Sequence, residues 1–305
     1  MKDRYRNLSG WLLFLLVALL PERLGAQSFN VIAPSAITVS TVAQLESSTI
    51  TIPQAFSLII NSGRKKYDLA AIVTSTSPAT SPIAAGLLQV RFNNITPNDN
   101  TGYTLGNIAL GNTASQVLAT KANDNNNNNI VARYDLILQP IGWAVPAGNY
   151  TFNLSVTYSE NKNTSITRTI PITVNVQRIV ALSLATGPSH VFTFATTGEF
   201  DAGKSIANGN SFTLKSNSPW IFTARSASSS FNYSGSLGPE TMPASVLKVS
   251  VGSTEVALST TPQTLVSGSA TPGSSPYYIS YRATPGYAYL PGTYTIALTY
   301  TLTAP

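Results

Sequence analysis

The segment LPGTYTIALTYTLTAP, Leu290 to Pro305, decides the fold by its alternation. Its large apolar side chains fall on one face of an extended chain; they are Tyr294, Ile296, Leu298, Tyr300 and Leu302. Threonine and alanine alternate with them, which predicts a single β-strand from Thr293 to Thr303 with one buried face. A strand this regular needs a neighbour on each edge or a cover for the open one. The sequence offers no further strand after it, so we expect one edge to be open.

The first 26 residues have the pattern of a secretory signal peptide. Lys2, Arg4 and Arg6 form a basic head, an apolar run extends from Trp11 to Leu20, and small residues precede Gln27. An apolar run of that length is about half of what a membrane-spanning helix needs. We therefore predict cleavage before Gln27, no membrane span in the mature chain, and export through the periplasm to the cell surface.

The composition excludes several classes of protein. The formal charge is +6, and basic residues are scattered except at Arg64-Lys65-Lys66, which argues against a nucleic-acid partner. There is no cysteine, so an exported chain of this kind must be held together by its hydrophobic cores alone.

The rest of the chain predicts an all-β fold. Short runs rich in Thr, Ser, Val, Ile and Tyr are separated by Gly, Pro and Asn, and no amphipathic helix stands out. Ser48 to Ile52 and Phe56 to Ile60 are predicted as separate strands, and His190 to Ala195 as another.

Three blocks of sequence recur in the same order in the two halves. They are GWAVPAGNYTFNLSVTY with GYAYLPGTYTIALTYTL, AAGLLQV with PASVLKV, and FSLIINSG with FTLKSNSP. The repeat is too long for a solenoid unit, which predicts a duplicated domain. We expect two tandem β-sandwiches, at residues 27–177 and 178–305.

The two predicted domains differ in one respect. After Tyr158, the first half continues through a polar turn into ITRTIPITVNVQ, which predicts a hairpin partner for the strand Tyr150 to Tyr158. Pro171 within that partner fits an edge or a bulge. The second half has no such continuation, so its sandwich is the one that we expect to lack a last strand.

The segments VPAGNYTFNLSVTY and LPGTYTIALTYTL resemble the spore-coat-U-like domains of archaic chaperone–usher pili. The resemblance implies immunoglobulin-like sandwiches whose missing strand is supplied first by a periplasmic chaperone and then by a neighbouring pilus subunit. It implies that Tyr294, Ile296, Leu298, Tyr300 and Leu302 line the partner-strand groove. A complete domain followed by an incomplete one is the layout of a tip adhesin in that family. The sequence departs from the family by having no cysteine pair and no penultimate aromatic residue.

The segment Gln27 to Leu45 has two interpretations. It alternates over part of its length, so it is either a strand donated to another subunit, as in a shaft subunit, or the first strand of its own sandwich. We favour the first strand, because every sandwich has one.

No catalytic, cofactor or metal site is predicted. His190 is the only histidine, which excludes histidine-rich zinc sites, and it stands at the start of a predicted strand, where a structural role is more usual than a place in a catalytic triad. Among the carboxylates, only Glu199 and Asp201 are near each other, in a predicted loop. We therefore predict that the protein is not an enzyme.

Two polar segments are candidates for contact loops to a surface glycan or another receptor. One contains Arg64, Lys65 and Lys66, and the other is the asparagine run that includes Asn125, Asn126 and Asn127. The predicted function is thus an exported structural or adhesive protein, a pilus subunit or tip adhesin assembled by donor-strand addition. The alternative is a carbohydrate-binding or extracellular matrix β-sandwich module without a pilus.

Overall fold

The structure is a computed structural model that describes residues 28–61, 66–122, 130–160, 164–185 and 189–305. The predicted signal peptide lies outside these residues. Among the described helices, none is long and apolar enough to cross a membrane. The fold is all-β, as the sequence predicts, and its strands form two tandem β-sandwiches.

In the described residues, the first sandwich is built from ten strands in two sheets. They are Ser28–Ile32 (β1), Ile37–Val39 (β2), Ile50–Asn61 (β3), Tyr67–Ser77 (β4), Leu88–Thr96 (β5), Asn107–Ala109 (β6), Gln116–Lys121 (β7), Ile130–Leu138 (β8), Gly148–Glu160 (β9) and Thr164–Val176 (β10). One sheet has the order β1-β3-β8-β5-β6 and the other β2-β10-β9-β4-β7. A short helix, Val42–Glu46 (α1), and a 3-10 turn, Ala85–Leu87, complete it.

The second sandwich has fewer strands in one of its two layers. Its strands are Val180–Leu184 (β11), Lys204–Ser216 (β12), Trp220–Ser226 (β13), Asn232–Ser234 (β14), Leu247–Val251 (β15), Thr254–Ala257 (β16), Gln263–Gly268 (β17), Thr271–Ala283 (β18), Thr293–Thr295 (β19) and Leu298–Thr303 (β20). They form sheets β11-β12-β18-β15-β16 and β17-β13-β20 and the pair β14-β19. A helix, Thr197–Ala202 (α2), and a 3-10 turn, Ala244–Val246, lie between strands.

The hairpin predicted only for the first half is confirmed. β9 and β10 pair antiparallel along their whole length, from Thr164 opposite Glu160 to Val176 opposite Gly148. Pro171 pairs with β9, while β2 joins the other edge of β10 only from Val174 onward. Pro171 therefore lies on a stretch of β10 that β2 does not reach, which fits the edge position that the sequence predicts.

The repeated GWAVPAGNY and GYAYLPGTY blocks adopt the same local structure. The hydroxyl of Tyr150 donates to the carbonyl of Pro146 at 2.8 Å, and Tyr294 donates to the carbonyl of Leu290 at 2.8 Å. Upstream, Gly142 and Gly286 both have a positive φ, of 78° and 63°, a conformation that glycine adopts without strain. The chain therefore turns into β9 and into β19 in the same way.

The same correspondence extends to the two short helices. Thr41 is the N-cap of α1, and Thr196 is the N-cap of α2. Each forms a capping box, in which the side chain of the residue three positions later, Gln44 or Glu199, accepts a hydrogen bond from the backbone N–H of the cap residue. Trp143 Nε1 donates to Glu46 of α1 at 2.7 Å, and the hydroxyl of Tyr287 donates to Asp201 of α2 at 3.0 Å. These helices were missed in the sequence, because a single turn is too short to show an apolar periodicity.

One of the block matches is out of register by two residues. β3 is a single strand with a bulge at Gln54, where φ is 49°, and β12 has a bulge at Asn208, where φ is 51°. Superposing the bulges makes Asn210, not Phe212, the counterpart of Phe56. The sequence match was misleading because a slip of two residues leaves side chains on the same face of a strand.

Two predicted strands of the second half differ in the structure. The segment Thr293 to Thr303 is divided into β19, which pairs with β14, and β20, which pairs with β13. His190 to Ala195 contains no strand. Its counterpart β2 is held by β10, and no strand of the described second sandwich takes the place of β10.

Asn217 joins the end of the first sandwich to the start of the second. It is 1% exposed, its amide nitrogen donates to the carbonyl of Gln177 at 2.9 Å, and its amide oxygen accepts from the N–H of Ile179 at 2.8 Å. Its carbonyl also accepts from the N–H of Ala147. One buried side chain thus connects the chain segment between the sandwiches to both of them.

An ion pair beside this contact also bridges the sandwiches. Glu46 accepts from Trp143 at 2.7 Å and from Lys215 at 2.7 Å, and the ammonium group of Lys215 lies 6.0 Å from the Trp143 ring centroid. The hydrogen bond from Lys215, followed by that from Trp143, holds the pKa of Glu46 below its ordinary value.

Asp135 organises the bulge of β3 in the first sandwich. Its carboxylate is 2% exposed and accepts from the N–H of Gln54 at 2.9 Å, from Arg91 at 2.6 Å and from Asn93 at 2.6 Å. Burial by itself raises the pKa of Asp135, but these hydrogen bonds outweigh it and hold the pKa below the ordinary value.

We expect Asp135→Asn to destabilise the first sandwich by about 2 kcal/mol, because it weakens charge-assisted hydrogen bonds to a buried site. Since the folded-state pKa lies below the unfolded one, this stabilisation is present above about pH 4 and is lost as the pH falls through the folded-state value. Urea unfolding at pH 7 and pH 3 measures both effects, with Asp68→Asn as the control. A variant that is equally destabilised at both pH values would contradict the role of the ionised carboxylate.

Candidate functional site

The open edge of β20 is the candidate site. In the first sandwich, β9 lies between β4 and β10, whereas its counterpart β20 pairs only with β13 in the part of the chain that the structure describes. An unpaired edge presents a row of backbone N–H and C=O groups to any strand that reaches it. This edge is therefore suited to β-strand addition.

The side chains on the inward face of β9 and of the β19–β20 segment differ in burial in the way that a missing strand predicts. In β9, the inward residues are 0–5% exposed; they are Tyr150, Phe152, Leu154, Val156 and Tyr158. Their counterparts are all half-buried; they are Tyr294, Ile296, Leu298, Tyr300 and Leu302. The last four pack against the second core from one side only. The structure thus places Leu298, Tyr300 and Leu302 in β20 beside its open edge, whereas Ile296 precedes β20 and Tyr294 lies in β19, which pairs with β14.

Four further apolar residues belong to this groove and were missed in the sequence. Leu182 and Leu184 of β11 face inward but remain 37% and 38% exposed, whereas Phe29 on the corresponding face of β1 is 2% exposed. Phe192 and Phe194 correspond to Ile37 and Val39 of β2, and both are half-buried against the core. Two sequence signals could have identified Phe192 and Phe194: the alternation in HVFTF, and the capping-box pattern that follows both this segment and β2.

Strand β11 does not close the groove. A competing interpretation of the sequence has Val180 to Leu184 curling round to cover the terminal strand. The structure instead pairs β11 antiparallel with β12, from Val180 opposite Ser216 to Leu184 opposite Phe212, in the opposite sheet. That interpretation is wrong, because β11 contributes one wall of the groove and leaves the edge of β20 open.

The candidate contact loops flank the other end of the molecule. Arg64, Lys65 and the run Asn125 to Asn127 lie outside the described residues, whereas Lys66 is exposed. The strands that flank both loops end side by side: Tyr67 pairs with Lys121, and Ile60 with Ile130. Both loops therefore leave the first sandwich at the end remote from Asn217.

This remote end is anchored by a buried ion pair. Lys121 is 4% exposed, and its ammonium group contacts the Asp99 carboxylate at 2.6 Å and donates to the Asp99 carbonyl at 3.2 Å. The hydrogen bond from Lys121 and those from Thr101 lower the pKa of Asp99 to about 2. The hydroxyl groups of Tyr67 and Tyr103 lie 2.7 Å apart beside them. These contacts hold the described strand ends of the first sandwich together at this end.

The residues considered for catalysis have structural roles. Glu199 lies in α2 rather than in a loop; it caps that helix and pairs with Lys204 at 2.7 Å. Asp201 accepts from Tyr287, and the His190 ring lies 5.0 Å from the Tyr281 ring. Within the described ranges, no group of three or more His, Cys, Asp or Glu residues is arranged to hold a metal ion.

No protein-family model and no curated protein matches the chain. The similar solved structures include a CsuC–CsuE chaperone–tip adhesion subunit complex from the archaic Csu pili of Acinetobacter baumannii, at 11% identity and a TM-score of 0.39, with 90% of this chain and 99% of that chain covered. The CupB6 tip adhesin of Pseudomonas aeruginosa matches at 12% identity and a TM-score of 0.37, with 92% and 95% covered. A point mutant of the adhesin CfaE of enterotoxigenic Escherichia coli matches at 13% identity and a TM-score of 0.34, with 92% and 81% covered. These likenesses are distant, and the resemblance to spore-coat-U-like domains stays a prediction.

We expect residues 27–177 to fold alone, and residues 178–305 to be unstable or to self-associate. The reason is that the first sandwich buries its inward-facing β9 residues fully, while the second leaves their counterparts half in water. Circular dichroism melts and size-exclusion chromatography of both pieces test this, with residues 27–305 as the reference. A monomeric 178–305 that melts cooperatively at the temperature of 27–177 would contradict the incomplete fold.

Proposed function

We propose that this protein is an exported adhesive subunit of a pilus, whose second sandwich is completed by a strand from another polypeptide. The observation that carries this proposal is the open edge of β20, flanked by half-buried apolar side chains where the first sandwich has β10. Each large apolar side chain of the groove would contribute about 1.5–3 kcal/mol on full burial. A periplasmic chaperone would fill the groove in transit, and a neighbouring pilus subunit would fill it at the cell surface.

The two sandwiches have different roles in this proposal, because the first is complete and the second has an open edge. We assign residues 27–177 to an adhesive domain and residues 178–305 to a pilin-like domain. The complete sandwich carries the candidate contact loops at the end remote from the groove, where they would meet a surface glycan or another receptor.

A position at the tip of the pilus is favoured by the use of the N-terminal segment. β1 pairs with β3, and β2 pairs parallel with β10, so the described part of Gln27 to Leu45 is built into the first sandwich. A strand held in its own sandwich is not free to complete a neighbour. The second sandwich would therefore accept a strand, but the N-terminal segment would not donate one. A subunit at the end of a polymer needs only the first of these two interactions.

We expect Leu298→Asp to abolish strand capture, because it places a charge on the inward face of the groove. Thr299→Asp should be tolerated, because Thr299 lies on the exposed face of the same strand. The probe is a labelled peptide with the sequence of residues 164–176, the strand that completes the first sandwich, carrying Arg168→Thr because residue 168 lies opposite Val156, whose counterpart Tyr300 is larger. Binding is measured by fluorescence anisotropy at matched concentrations of folded protein, judged by circular dichroism.

Co-purification with a co-expressed periplasmic chaperone of a chaperone–usher system is an independent readout on the same three proteins. If the unmodified protein captures neither the peptide nor the chaperone, the pilus proposal is wrong. The chain would then be a self-contained surface module of the carbohydrate-binding or matrix type.

A further inference from the structure

The second sandwich contains a buried polar cluster beneath the groove. Asn210 Nδ2 donates to the hydroxyl of Tyr281 at 2.7 Å, and the hydroxyls of Tyr281 and Tyr300 lie 2.8 Å apart. The ring of His190 lies 5.0 Å from that of Tyr281. Tyr300 belongs to β20, so the cluster reaches from the opposite sheet to the open edge.

The first sandwich has no such cluster at the corresponding positions. When the bulges of the two sandwiches are superposed, Asn210 is the counterpart of Phe56. Tyr281 is then the counterpart of Leu136, because Tyr281 pairs with Ile206 just before one bulge and Leu136 pairs with Ile52 just before the other. Tyr300 is the counterpart of Val156. These three apolar residues are 0–1% exposed. At these three positions, polar groups in the sandwich that has the open edge therefore replace apolar side chains of the first sandwich.

The hydrogen bonds of the cluster are incomplete. Asn210 Oδ1 and His190 Nε2 are buried and have no hydrogen-bond partner among the described residues. The two tyrosine hydroxyls share one hydrogen bond, so one of their two protons is left without an acceptor in this chain of contacts. Burial, followed by the hydrogen bond with Tyr281, raises the pKa of Tyr300, so its hydroxyl stays protonated at neutral pH. The cluster thus offers the Asn210 amide oxygen as an acceptor, one O–H donor and the unpaired Nε2 atom of His190.

Buried polar groups without partners are destabilising by about 1–3 kcal/mol each, and most such groups in folded proteins are satisfied. A group that completes this cluster must both donate and accept hydrogen bonds. Carboxylates only accept, and lysine and arginine only donate. Hydroxyl and amide side chains do both, and the Tyr300 ring occupies more of the groove than valine does at position 156, so the shorter hydroxyl side chains of serine and threonine fit best beside it.

We propose that the groove selects a partner strand with a serine or threonine opposite Tyr300. This rests on the proposed function, since it requires that a strand is captured, and it adds what that strand must carry at one position. The register comes from β10, where the residue opposite Val156 is Arg168. In the first sandwich, Ile170 and Ile172 of β10 lie opposite the β9 counterparts of Leu298 and Ile296. The partner strand would therefore also carry apolar residues opposite Leu298 and Ile296.

The test uses two peptides with the sequence of residues 164–176, one with Arg168→Thr and one with Arg168→Val. Threonine and valine have nearly the same shape, so the pair differs in one hydroxyl group. We expect the threonine peptide to bind the mature protein about three- to tenfold more tightly by isothermal titration calorimetry. In Tyr300→Phe, which keeps the ring and removes its hydroxyl, this preference should fall below about twofold, the level expected without that hydrogen bond. In Thr299→Val, on the exposed face, the preference should persist.

The outcomes separate this proposal from the function on which it rests. If both peptides bind the unmodified protein equally, the polar selection is wrong while strand capture stands. A preference for threonine that survives Tyr300→Phe overturns the role of the cluster. If neither peptide binds, strand capture itself fails, and the selection fails with it.

Discussion

The structure depends on one constraint: the backbone of a β-strand must find hydrogen-bond partners on both edges or leave one edge to solvent. In the first sandwich, β10 meets this need for β9, and the inward side chains of β9 are buried as a result. In the second sandwich, β20 has one partner among the described strands. The half-burial of its side chains and the lack of a strand at Phe192 to Phe194 both follow from that single difference, since each would contact the strand that is not there.

The sequence predicted the fold class and the alternation of apolar and polar residues in the terminal segment, because both depend on a period of two. Alternation identifies a strand and its buried face without knowledge of its neighbours. The hairpin of β9 and β10 was visible for the same reason. The sequence therefore also predicted that only the first half has a hairpin partner for its alternating strand, and this difference between the halves is the basis of the proposed function.

Other features depended on contacts that alternation does not encode. His190 to Ala195 alternates as a strand does, but without a partner it forms none. The match of Phe56 with Phe212 was plausible because identical residues were aligned, whereas the bulges at Gln54 and Asn208 set the true register. The polar cluster could not be found from the sequence, since Asn210, Tyr281 and Tyr300 are distant along the chain and meet only through the pairing of β12 with β18 and the approach of β20 from the opposite sheet.

The contact at Asn217 has a mechanical consequence. A linker of several unattached residues would let the two sandwiches swivel, and a pull on one would first straighten the linker. Here the connecting backbone is fastened within one or two residues of each sandwich, and the bridge from Glu46 to Lys215 adds a second point of attachment. The end of the first sandwich that is remote from Asn217 is then held in one orientation relative to the second sandwich. A force on that end is transmitted to the second sandwich through these contacts instead of being absorbed by a flexible linker.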